Sequence, residues 1–180
     1  KTSRSESLVL AATFGGTLFF EIEFAIYTGV LLSVAIYFTQ SSHPHVEVMA
    51  PDPSDARWRL AEVEGADLQD CPQLKIVGVN GPLFFGAAHL VSEVFEEVDA
   101  DAPGHLLVIG HAINFIDISG ALMLTQESER RQDMGKNLYL CRINREVCQF
   151  LAHGDLLDEI GQDRVFDTEY DAISKIFDGL

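Results

Sequence analysis

Positive charge is scarce in this sequence. Twelve Lys and Arg stand against 28 Asp and Glu, a formal net charge of −16. Residues 43–180 hold 25 of the acids and 10 of the bases, so that part alone carries −15. A surface of this sign excludes nucleic acid as a partner, because phosphate binding needs clustered Lys and Arg. It also disfavours docking on anionic lipid. What remains is solubility through net charge, a property suited to a salty habitat. Cysteine is scarce as well: Cys71, Cys141 and Cys148 are odd in number and contain no CxxC pair. That fits free thiols in a reducing cytosol rather than a disulfide framework. The sequence has no P-loop, no GxGxxG and no recognisable nucleophile–base pair. An enzyme or a cofactor-binding protein therefore finds little support. No basic region with a small-residue cleavage site flanks the long apolar block, which argues against a signal peptide. The first residue is Lys1, not Met, and a piece of a longer protein is expected.

What is present in excess is apolar sequence, and it is unevenly spread. Leu8 to Phe38 is a dense block of 31 residues, interrupted by Glu21 and Glu23. As one straight helix it would run about 46 Å, too long for a ~30 Å hydrocarbon core. Two carboxylates at its middle would also be costly there. A break at the glutamates leaves Leu8–Phe20, about 20 Å as a helix, and Phe24–Phe38, about 22 Å. Two short helices forming a hairpin within a larger bundle fit these lengths. Gly15, Gly16 and Gly29 would permit close packing. The acidic pair Glu21 and Glu23 falls at the first turn of the second helix, where capping and the helix dipole favour acids. An ion or proton site is the alternative use of the pair.

The remainder alternates strands with helices. His43–Asp55 contains three of the six prolines and reads as a linker or an edge strand. Arg57–Val63 alternates, Trp58 and Leu60 against Arg59 and Ala61, and reads as a weak strand. Leu74–Phe85 reads as two short strands broken at Asn80-Gly81-Pro82. Ala87–Val98 has helical apolar spacing, His105–Gly110 is a buried strand, and Ile118–Met134 is a helix. Asn137–Ile143 is a strand, Arg145–His153 a helix closed by Gly154 as a C′ glycine, and Thr168–Phe177 a terminal helix. This order gives an α/β layer structure. The division falls into residues 1–42 and 43–180.

Two segments carry a resemblance. "FEIEFAIYTGVLLSVAIYF" resembles the last transmembrane helix of the sulfate permease (SulP) family of anion transporters. "LKIVGVNGPLFFGAAHLVSEVF", "HLLVIGHAINFIDISGALML" and "LAHGDLLDEIG" resemble the STAS domain that follows it. The resemblance implies a STAS domain, a mixed β-sheet with helices packed against it, preceded by a short transmembrane helical hairpin. It implies a multi-pass protein of the inner (cell) membrane with its STAS domain in the cytoplasm. The family's membrane bundle has two inverted seven-helix repeats, of which this chain would supply helices 13 and 14. Substrate residues lie mainly on earlier helices. The implied role is anion transport of the sulfate, bicarbonate or dicarboxylate class. The STAS domain would serve regulation, assembly and protein interaction. Implied partners are the rest of the membrane domain, a second copy in a homodimer, an unidentified cytosolic protein, and membrane lipid along residues 8–38.

STAS proteins of the anti-anti-sigma type are phosphorylated on a serine in an Asp-x-Ser-Gly loop, and Ser119, between Asp117 and Gly120, matches it. Free N–H groups at a helix start would face an anion there. The simpler reading is that Asp117 or Ser119 caps the helix. Ile118 departs from the serine often found in the switch proteins. A free-standing phospho-switched STAS module is the competing function, and residues 8–38 argue against it. His43, His45 and Glu47 would share one face of an extended chain, but no fourth ligand is indicated, so no metal site is assigned. His89, His105, His111 and His153 are read as structural, Cys141 and Cys148 as core. Asp155, Asp158 and Glu159 are read as a solvated surface.

Overall fold

The computed structural model describes residues 4–19, 22–41, 44–51, 60–62, 73–99 and 104–178. Its contacts divide the chain into two compact units, Lys1–His43 and Pro44–Leu180.

The first unit is two helices, α1 (Arg4–Phe19) and α2 (Ile22–Ser41). Neither sequence divides into an apolar and a polar face, although Arg4-Ser5-Glu6-Ser7 makes the start of α1 polar. They pack against each other through Gly29, where an added Cβ would lie 2.8 Å from Thr13 Oγ1. Thr13 turns that hydroxyl back onto the Val9 carbonyl at 2.9 Å. Leu10, Tyr27, Val30, Leu31, Val34 and Tyr37 are left exposed. Glu23 is exposed in the first turn of α2, whereas Glu21 lies outside the described residues. Among the described residues no helix is long and apolar enough to cross a membrane. The hairpin is therefore present as helices, and the spanning expected of it is not shown.

The second unit is built on a six-stranded sheet of order β2-β1-β3-β4-β5-β6. In chain order its elements are β1 (His45–Pro51), β2 (Leu60–Glu62), β3 (Leu74–Asn80), α3 (Phe85–Glu97), β4 (His105–Ala112), α4 (Ile118–Asp133), β5 (Leu138–Cys141), α5 (Arg145–His153), α6 (Leu156–Ile160), β6 (Val165–Phe166) and α7 (Glu169–Asp178). β1 is antiparallel to β2 and β3, and β3 to β6 are parallel neighbours. The central strands read as unbroken apolar runs because both faces are covered. Val77, Val79, Leu106, Val108, Leu138 and Leu140 meet Val91, Phe95, Leu124 and Leu151 on one face. The residues of opposite parity, Leu74, Ile76, Leu107, Ile109 and Cys141, meet Ala172 and Ile176 of α7 on the other.

Several sequence expectations need correction. His45–Pro51 is neither linker nor edge: it lies between β2 and β3 and bonds to both, with Pro51 tolerated at its end. Leu74–Phe85 is one strand, not two. After Asn80 only Leu83 pairs, in a single parallel bridge to Ile116, and Phe85 already begins α3. Gly154 does not take the left-handed conformation. Asp155 does, at φ 56, because α6 starts directly behind it and Asp tolerates that region. Helix α6 and strand β6 were not anticipated, being five and two residues long. Trp58 and Cys71 lie outside the described residues.

The C-terminal half of α4 is anchored by ions. Arg131 is fully buried. Its Nε donates to Glu127 Oε1 at 2.6 Å, its Nη2 to Asp99 Oδ2 at 2.8 Å, and its Nη1 to the Gly104 carbonyl. Arg130 donates to the same two carboxylates, at 2.7 Å to Glu127 and 2.6 Å to Asp99. Nearby, His105 is buried and its Nδ1 accepts from the Asn137 N–H at 3.0 Å. Burial, then the charges of Lys136 and Arg131, pushes the His105 pKa down.

Two outcomes are expected. Residues 44–180 expressed alone should unfold in one cooperative thermal transition, and a gradual loss of signal would contradict the two-unit division. His105 should make the chain acid-sensitive. Its folded pKa lies below the unfolded value of about 6.5, so the unfolded chain takes up the proton first. The stabilisation is complete above that value and lost as pH falls through the window below it. His105→Asn keeps an acceptor without titrating. Denaturation midpoints between pH 7.5 and 5.5 should therefore fall less steeply in that variant than in the parent.

Candidate functional site

The chemistry-bearing loop is assembled by two crossovers meeting at the C-terminal ends of β3 and β4. Past β3 the chain turns at Gly81, whose φ of 129° excludes other residues without strain. Leu83 is then fully buried, and its backbone zips onto the neighbouring crossover. Its N–H donates to the Phe115 carbonyl at 2.8 Å, and its carbonyl accepts from the Asp117 N–H at 3.1 Å.

Asp117 is the N-cap of α4 in extended backbone conformation. One carboxylate oxygen accepts the Gly120 N–H at 2.9 Å. The other accepts the N–H of Phe85, the first residue of α3, at 3.1 Å. Helix α3 has only Phe84 at its own N-cap, without a side-chain bond, so its first donor is satisfied from 32 residues away. One carboxylate thus caps two helices, and both helix dipoles favour its charge. Gly120 is required by contact: a Cβ there would land on the carbonyl oxygen of Leu83 and 2.9 Å from its carbon. Asp117 and Gly120 are therefore explained by backbone geometry. Ser119 takes no part in the cap and sits half-buried in the first turn of α4.

Beside this loop lies a cavity of about 310 Å³, lined by Asn114 to Ile118 and by Glu146, Val147 and Phe150 of α5. Phe115, Ile118 and Phe150 remain 55, 56 and 40% exposed around it. Asn144 caps α5 by accepting the Glu146 N–H at 2.7 Å. The sequence placed Asp117, Ser119 and Gly120 at a helix start but gave no sign of this apolar wall. Its residues come from segments some 30 positions apart and converge only in the fold.

The other singled-out residues do not join the loop. His45 and Glu47 share a face of β1 and pair at 3.1 Å, and His43 lies outside the described residues. Among the described residues no group of three or more His, Cys, Asp or Glu is placed to hold a metal ion. His89 is exposed and faces Glu93 at 3.4 Å, and exposed His153 lies 2.9 Å from the Gln149 carbonyl. Cys141 is buried and its thiol is pushed up to about 12, mainly by burial, so it is no thiolate near neutral pH. Cys148 is shifted upward too, by burial and then Asp167.

The family model of the STAS domain matches residues 66–172. The chain belongs to the STAS domain family. Beyond the domain itself, it is 24% identical over 168 residues to a Bacillus subtilis protein named as a sulfate transporter, YvdB, covering 93% of this chain and 30% of that protein. Its fold matches the murine anion transporter Slc26a9, solved in the inward-facing state, with a TM-score of 0.84 at 19% identity. That match covers 98% of this chain and 29% of the transporter. A Thermotoga maritima protein named as an anti-sigma factor antagonist matches with a TM-score of 0.51 at 18% identity, covering 61% of this chain and 92% of its own. The chain thus spans under a third of these transporters, whose fold likeness, at 98% of this chain, takes in the helical hairpin as well.

The shared cap should dominate the stability of this STAS domain's loop. Asp117→Ala strands two helix donors and should cost about 1–3 kcal/mol. Asp117→Asn keeps one acceptor and should fall between parent and Ala. Gly120→Ala forces the Leu83 carbonyl aside and should cost about 2–3 kcal/mol. Urea denaturation of the three variants checks the ranking.

Proposed function

We propose that this chain is the C-terminal region of a secondary anion transporter of the sulfate, bicarbonate or dicarboxylate class. In this reading α1 and α2 end the membrane domain, packed against earlier helices and lipid in the cell membrane. Residues 44–180 form a cytoplasmic STAS domain with a regulatory, assembly and protein-interaction role, without catalysis, in a homodimer. The observation that carries it is the joint presence of an apolar hairpin and a STAS domain in the order found over 98% of the chain in the transporter fold. A hairpin with so many exposed large apolar side chains needs a cover that water does not supply.

The second reading is a free-standing STAS switch phosphorylated on Ser119, and the match to the antagonist protein favours it for the second unit alone. A phosphoserine would add about −1.5 to −2 charge at a helix start already holding Asp117. Ser119 is proposed as the regulatory position in either reading.

Membrane association separates the two. The tagged chain should stay with cell membranes through an alkaline carbonate wash and require detergent for release. Recovery in the wash would favour the free-standing switch. Ser119→Ala and Ser119→Glu should both fold, with stability within about 0.5 kcal/mol of the parent. Anion uptake by the full transporter then reads the loop: a change confined to Ser119→Glu marks a switch, and parental uptake in both marks a cap.

A further inference from the structure

At the end of the sheet away from the Asp117 loop, the starts of three parallel strands converge on one imidazole. His105, the first residue of β4, is buried. Its backbone N–H donates to the Gln73 carbonyl just before β3 at 2.8 Å, and its ring Nδ1 accepts the Asn137 N–H just before β5 at 3.0 Å. The Asn137 carbonyl accepts the Leu106 N–H at 3.0 Å, so β4 and β5 meet again one residue on. The ring tilts by 50° against Tyr139, with centroids 5.9 Å apart, and the Asn137 side-chain amide donates to the Tyr139 hydroxyl at 3.3 Å. The chain arrives at Asn137 from a tight helix end. Gly135, at φ 70, and Lys136 return their N–H groups to the Gln132 and Arg131 carbonyls at 2.9 and 2.8 Å. Arg131 is fixed by Glu127, Asp99 and the Gly104 carbonyl. The turn between α4 and β5 is thus anchored at one side by Arg131 and held at the other by the His105 ring.

That hold depends on the ring being neutral. Accepting at Nδ1 places the ring hydrogen on Nε2. In the imidazolium both nitrogens carry hydrogen, so Nδ1 and the Asn137 N–H would face each other as two donors. The surroundings give the charged ring no other partner. The charges acting on it are Lys136, after α4, and Arg131, on α4, both positive. Glu127 and Asp99 are occupied by Arg130 and Arg131, and among the described residues no carboxylate pairs with the ring. Tyr139 on β5 presents a phenol, Gln73 and Leu74 beside it are uncharged, and so are Ala172 and Ile176, which α7 buries on this sheet face. A protonated ring gains hydration only by leaving its place.

We propose that His105 is a proton-operated latch: its protonation expels the ring from between β4 and β5 and frees the Met134–Tyr139 segment while the rest of the domain stays folded. Acid lowers the stability of the whole unit through the same ring, and the latch is a local opening that comes before that loss. Opening takes up a proton, because the solvated ring titrates near the ordinary value of 6.5 and the closed ring below it. Between those two values the opening constant rises by up to about tenfold per pH unit as pH falls. The latch uses only residues of the second unit, so it stands or falls apart from the transporter reading.

Amide hydrogen exchange of the full chain in nonionic detergent, read by mass spectrometry and corrected for the intrinsic pH dependence of exchange, tests the latch. Protection over residues 134–139 should fall by up to about tenfold per unit as pH drops below about 6.5, while protection over 145–153 in α5 holds. Imidazole C2 exchange in the same samples should show His105 titrating below 6.5. His105→Asn accepts without titrating and should keep 134–139 protected across the range. Lys136→Gln removes one repelling charge, should raise the His105 titration and should shrink the fall at least about twofold. That variant carries the comparison should His105→Asn fail to fold. A His105 titration at or above 6.5, a fall as steep in the variants as in the parent, or simultaneous loss of protection over 145–153 overturns the latch.

Discussion

A helix cannot begin without satisfying its first N–H groups, and the STAS domain solves this twice with one side chain. The Asp117 carboxylate takes Gly120 N–H from α4 and Phe85 N–H from α3. Those two helices follow the central parallel strands β3 and β4, so the bonds tie both crossovers to one point. Leu83 makes the arrangement rigid. Its backbone bonds on both sides to the neighbouring loop, its side chain is fully buried, and its carbonyl occupies the space that a side chain at 120 would need. Moving any one of Leu83, Asp117 or Gly120 disturbs the other two, so the cost of change here is shared rather than local.

At its other end α4 is held by charge instead of by backbone donors. Burying Arg131 carries a desolvation penalty that only near-complete hydrogen bonding offsets. Glu127, Asp99 and the Gly104 carbonyl supply that bonding, with Asp99 Oδ1 left as a buried oxygen without a partner. The cluster joins Asp99, two residues past α3, with Gly104 just before β4 and the last turns of α4. Such a cluster adds geometric definition more than net stability, because a hydrophobic replacement could match its energy but not its directionality. With α4 pinned at both ends, the loop and cavity beside Asp117 stand on a fixed frame.

The two units dispose of their apolar side chains differently. The sheet of the second unit hides its apolar strands under helices on both faces, and residues 43–180 carry a large excess of acids. In the first unit the packing of Gly29 on Thr13 joins the helices but leaves most of their described large side chains exposed. The proposed transporter reading would supply surrounding helices and lipid to cover those side chains.

Periodicity determined much of this protein. The apolar runs at 74–80 and 105–110, and the helical spacing at 87–98 and 145–153, announce an α/β domain because burial on two faces or one leaves a readable repeat. Asp117-Ile118-Ser119-Gly120 announced a helix start because cap chemistry is local. Short or context-dependent features did not show. Phe85 is a helix residue rather than a strand residue because Asp117, 32 positions away, accepts its N–H. The alternation at 57–63 announced a weak strand where β2 lies, but the pairing of β1 with both β2 and β3 is not encoded in either segment, and α6 and β6 are too short for a period. The Arg131 cluster and the groove formed by Phe115, Ile118, Val147 and Phe150 belong wholly to the tertiary structure. Each joins residues distant in sequence, and the free energy of burying a charge or shaping a cavity depends on what surrounds it, which no single segment contains.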